Sequence, residues 1–78
     1  MKDWCKIIQT ESHDVVVQLG ANDKDGDHVK ISIRDNSVDV SVVITGEDES
    51  EAKRMYSEIE ALHLVGIMHS MGVENFKL

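Results

Sequence analysis

HVKISIRDNSVDVSVVI, the stretch from His28 to Ile44, decides the fold. Val29, Ile31 and Ile33 alternate with His28, Lys30, Ser32 and Arg34. Val38, Val40, Val42 and Ile44 alternate with Ser37, Asp39, Ser41 and Val43. A strand turns successive side chains to opposite faces, so this alternation marks two strands with one buried side and one wet side. Between them, Asp35-Asn36 predicts a tight hairpin. The pair reads as antiparallel, with its apolar face inward and Lys30, Arg34 and Asp39 in water.

Working upstream, Gly20 to Asp27 is turn chemistry throughout, and Val15-Val16-Val17-Gln18-Leu19 before it is a β-branched strand. Further back, Trp4, Ile7 and Ile8 stand at i, i+3 and i+4, with Asp3 as a candidate N-cap. That spacing predicts a short N-terminal helix; a strand over 5–10 is the alternative. Downstream the period changes at Thr45, which can cap a helix, with Asp48 as the acidic half of a capping box. Ala52, Met55, Tyr56, Ile59, Leu62, His63 and Gly66 keep helical spacing, while Lys53, Arg54, Glu58 and Glu60 occupy the other side. Gly72 is a natural stop. Val73, Phe76 and Leu78 either return as a final strand or pack down. The expected fold class is α+β: a short N-terminal helix, a three-stranded antiparallel β-meander, and a long amphipathic C-terminal helix packed on one face of the sheet.

The 78 residues allow a single small α+β domain, residues 1–78. A chain this short buries only about 60% of its unfolded surface. The hydrophobic fraction of 41% supports a globular fold, and the absence of proline fits compact elements joined by tight turns. The one cysteine, Cys5, excludes an internal disulfide and reads as a small buried hydrophobe beside Trp4. With no apolar leader after Lys2 and Asp3, and an apolar run from Ala61 to Met71 too short for a bilayer, a cytoplasmic location is expected, that of the host cell if the chain is phage-encoded.

Fifteen Asp and Glu against eight Lys and Arg leave a net charge of −7. Such a surface disfavours nucleic acid and anionic membranes and suits a basic protein partner. In a meander, the loop carrying Asp23, Asp25 and Asp27 lies at the same end of the sheet as Glu47, Asp48, Glu49 and Glu51. Acids at a helix start contribute about 0.3–1 kcal/mol each against the helix dipole. Asp in a turn bonds the local backbone. A helix start needs one or two such acids, and this one has four.

Motifs for other chemistry fail on spacing. An EF-hand loop beginning at Asp23 would need glycine where His28 stands and glutamate where Arg34 stands. His13, His28, His63 and His69 include no i, i+4 pair for zinc. No glycine-rich phosphate loop exists, and one Trp, one Tyr and one Phe are too few for a base-stacking platform. The expectation is a non-enzyme without cofactor or metal. The second half of the last helix is apolar nearly all round. Leu64, Val65, Ile67, Met68 and Met71 are therefore candidates for self-association, and the alternative reading is a homodimeric structural or assembly subunit.

Val15-Val16-Val17-Gln18-Leu19-Gly20 with its polar turn, Ile31-Ser32-Ile33-Arg34-Asp35-Asn36, and Gly46-Glu47-Asp48-Glu49-Ser50-Glu51 opening a helix resemble the small acidic phage anti-CRISPR proteins that inhibit Cas9. The resemblance runs from His13 to Leu62. It implies a short helix before a three-stranded antiparallel sheet, and acids that stand in for DNA phosphates at the site reading the PAM duplex. The matching positions are Asp23, Asp25, Asp27, Glu47, Asp48, Glu49 and Glu51. That family carries a strongly acidic C-terminal helical region, whereas Leu62 to Met71 here is apolar.

Overall fold

The computed structural model describes residues 4–78. Four strands come first: β1 Trp4–Gln9, β2 Asp14–Asn22, β3 Gly26–Asp35 and β4 Val38–Thr45. Two helices follow, α1 Glu49–Glu58 and α2 Ala61–Ser70. The strands form one sheet in the order β1-β2-β3-β4, every neighbour antiparallel. The fold is α+β, but with four strands rather than three and two C-terminal helices rather than one at each end.

The expected N-terminal helix is the strand β1. Trp4, Lys6 and Ile8 pair with Leu19, Val17 and Val15 and share the helix-facing side of the sheet. Cys5, Ile7 and Gln9 take the wet side, so Cys5 is exposed rather than buried. A helix this short is marginal on its own, whereas β2 offers an open row of backbone partners. Asp3, the expected cap, lies outside the described residues.

The alternation in β3 and β4 holds from Val29 onward, but His28, expected among the wet-side residues, is itself buried. Val29, Ile31 and Ile33 pair with Ile44, Val42 and Val40 on the core side, and Arg34 pairs with Asp39 on the wet side. The hairpin loop is Asn36-Ser37, one residue later than expected. Both have positive φ, 51° and 67°, as a two-residue turn matching strand twist requires.

The long helix is broken. Ile59 and Glu60 are extended, with ψ 117° and 171°, between α1 and α2. In an unbroken helix the Tyr56 and Ile59 carbonyls would accept from Glu60 and His63. Instead the Lys6 ammonium donates to both, at 2.6 and 3.0 Å. The displaced amides find local acceptors: Glu60 N–H donates to His63 Nδ1 and His63 N–H to the Glu60 carbonyl. The start of α1 also differs. Its cap is Asp48, not Thr45, because Gly46 N–H still donates to the Asp27 carbonyl and holds the chain on the sheet.

Val15, Val17, Val29, Ile31 and Ile33 from the sheet form the core with Ala52 of α1, Ile59 at the break, Leu64 and Met68 of α2, and Val73 beyond it. α1 lies over β2 and β3. The tail forms no further strand. Val73 is buried and Phe76 stacks on His13, ring centroids 5.8 Å apart.

Candidate functional site

The β2–β3 loop and the β4–α1 junction meet at one end of the sheet. Asn22 faces Gly26 across the first and His28 faces Thr45 beside the second. The Gly46 to Asp27 hydrogen bond, at 2.9 Å, ties the two segments together. Gly46 also lets the first turn of α1 fold back closely onto the junction, since a Cβ there would stand 3.0 Å from the Ala52 nitrogen. Asp23, Asp25, Asp27, Glu47, Asp48, Glu49 and Glu51 all belong to these two segments. The expected convergence is therefore present, carried by β2, β3 and β4 with β1 added at the far edge.

The seven acids do not have equal freedom. Asp48 Oδ1 accepts from Glu51 N–H at 2.8 Å and caps α1. Glu51 Oε1 accepts from Glu47 N–H at 3.2 Å. Asp25 closes its turn with Asn22, whose Oδ1 accepts from Asp25 N–H at 2.6 Å. Glu49 pairs with Lys53 at 2.8 Å. Among the described residues, Asp23, Asp27 and Glu47 make no side-chain hydrogen bond or ion pair. The other four add to the same field while serving the fold.

Sequence reasoning missed the aromatic neighbour of this end. A cavity of about 130 Å³ opens between Asp27 and Glu49, with Trp4, Leu19 and Lys53 in its lining. The Trp4 ring has Lys53 Nζ 5.3 Å from its centroid and Tyr56 5.6 Å away. Lys6 Nζ sits 4.6 Å from the Tyr56 ring. Burial, with a smaller contribution from Cys5, pushes the Tyr56 phenol above its usual range. The signal for it was the alternation Trp4, Lys6, Ile8, which competes with a helical reading of the same residues.

The self-association residues divide. Leu64 and Met68 are fully buried in the chain's own core, and Ile67 and Met71 pack partly against it. Val65 is 47% exposed and Leu62, not among the expected set, 65%. The break at Ile59–Glu60 turns α2 so that its most apolar line faces inward.

A Ser–His–Asp cluster lies at the β1–β2 turn. His13 Nε2 stands 2.9 Å from Asp35 Oδ1, and its Nδ1 stands 2.7 Å from Ser12 Oγ. Ser12 Oγ also accepts from Lys77 N–H at 2.7 Å and lies 3.1 Å from the Lys77 carbonyl. The hydroxyl is engaged in holding the C-terminal tail, which makes this cluster a clasp. Among the described residues, no three His, Cys, Asp or Glu side chains are grouped to hold a metal ion. No described helix is long and apolar enough to cross a membrane. No family model, curated protein or solved structure matches the chain.

Proposed function

We propose that the chain is a non-catalytic, protein-binding inhibitor of the anti-CRISPR type. Its acidic end takes the place of nucleic acid phosphates at a basic site of a nucleic-acid-binding effector, such as a Cas effector, and blocks the site by occupying it. One observation carries this reading: seven acids from two segments meet at one end, and Asp23, Asp27 and Glu47 are left without a partner among the described residues. Among the described residues, the two acidic segments and the first turns of α1 carry Lys24 and Lys53, and Lys53 is already paired with Glu49. Self-association through α2, the second reading, finds Leu64 and Met68 inside the core and leaves Val65 as the exposed member of its set.

The test is a titration of a Cas effector at low and high salt. The variant replaces Asp23, Asp27 and Asp48 by Asn and Glu47 by Gln. Asn caps a helix as well as Asp does, so the fold is expected to hold. Wild-type binding should weaken as salt rises, because exposed charges are screened. The variant should bind roughly tenfold or more weakly, a change of about 1.4 kcal/mol. Equal binding by a folded variant would refute the role of the acids.

A further inference from the structure

The sheet has two edges, and they are built differently. On β1, Lys6 points inward and its charge is fixed on the Tyr56 and Ile59 carbonyls. An inward charge is one device by which natural sheets keep an edge from pairing. β4 has no inward charge, no proline and no lysine, and its single charged residue is Asp39. Its core-side residues Val40, Val42 and Ile44 are only partly buried, and Val38 is 60% exposed. Among the described residues, the outer row of β4 backbone groups has no strand beside it.

We propose that β4 pairs antiparallel with β4 of a second copy, about a two-fold axis through Ser41. Three features select this occupant and this geometry. First, side chains facing each other across an antiparallel pair must lie on the same side of the sheet. The Ser41 axis meets that condition: Val40 faces Val42 of the second copy, and the exposed Val38 faces its Ile44. Second, charge chooses among the allowed registers. Asp39 of one copy comes opposite Val43 of the other, and Val43 pairs with Lys30 in its own sheet. Each Asp39 thus stands in line with a lysine across the seam, and no acid faces an acid. Third, antiparallel pairing sends the two acidic ends to opposite ends of the joined sheet. Parallel pairing would put two chains of net charge −7 acid to acid. The assembly is closed and symmetric, as most homodimers are, and it leaves both acidic ends open.

Pairing through β4 does not depend on the acidic end binding an effector, and its test uses the chain alone. Sedimentation over a concentration series should show a monomer–dimer equilibrium. Higher salt should shift it toward dimer, because the net repulsion is screened; effector binding should respond to salt in the opposite sense. Val43→Asp sets acid against Asp39 twice at the seam, and should abolish the dimer while leaving the core untouched. Asp39→Lys added to Val43→Asp should restore it. Amide exchange of wild-type residues 38–45 should slow as concentration rises, which needs no variant to fold. A wild-type monomer at every concentration, a dimer that survives Val43→Asp, or a loss that Asp39→Lys leaves unrepaired would overturn the proposal. So would a β4 edge protected only in complex with a foreign chain.

Discussion

Lys6→Met tests the reason for the helix break. Lys6 Nζ donates to two carbonyls at the end of α1, Tyr56 at 2.6 Å and Ile59 at 3.0 Å. Both bonds are partly buried. Leaving one buried acceptor without its donor costs about 1–3 kcal/mol. Because water reaches a partly buried carbonyl, the lower half of that range applies to each. The ammonium also stands at the negative end of the α1 dipole, worth about 0.3–1 kcal/mol. Methionine keeps most of the packing volume. The expected loss is therefore about 2–5 kcal/mol. For a domain of this size each kcal/mol moves the midpoint by about 4–8 °C, so the melting temperature should fall by at least about 10 °C. Chemical denaturation read by circular dichroism measures the loss. Backbone chemical shifts at Ile59 and Glu60 report whether the break moves toward helical values, as the released carbonyls favour. A variant as stable as wild type, with Ile59 and Glu60 still extended, would show that Lys6 does not hold the break open.

Two further outcomes follow from the fold. Leu64→Ala should cost about 2–5 kcal/mol, the range for a truncated core leucine, whereas Val65→Lys one position away should change stability by less than about 0.5 kcal/mol; paired urea titrations separate them, and equal effects would refute the orientation of α2. Ser37→Gly should stabilise by up to about 1 kcal/mol, because serine holds φ 67° in the hairpin loop where Asn-Gly is the favoured pair, and relief of about 1–2 kcal/mol of left-handed strain outweighs glycine's entropy cost of about 0.5–1 kcal/mol; a lower midpoint in thermal melts would contradict that turn.

The acidic end is largely legible in the order of the residues. With β2, β3 and β4 read as consecutive antiparallel strands, the loop of Asp23, Asp25 and Asp27 has to share an end with Glu47 to Glu51. Which acids are free is not legible there. Asp48 and Glu51 bond backbone amides only because α1 begins at Glu49. That start depends on Gly46 staying bonded to Asp27 across the sheet. Trp4 reaches this end only by way of β1, where the helical and strand patterns overlap on the same few residues.

By itself, the sequence determined the parts of the fold that rest on a local period: β3, β4, the hairpin between them and the inward rows Val29, Ile31, Ile33 and Val40, Val42, Ile44. Alternation is written into neighbouring residues, so no distant contact is needed to recognise it. The tertiary structure decided the identity of β1, the division of the last helix and the face that α2 buries. Each depends on a group far along the chain: β2 supplies the partners of β1, and Lys6 bonds carbonyls 50 and 53 positions away. Residues 4–9 satisfy a helical spacing and a strand spacing almost equally. Backbone pairing with β2 then outweighs a helix too short to stand alone.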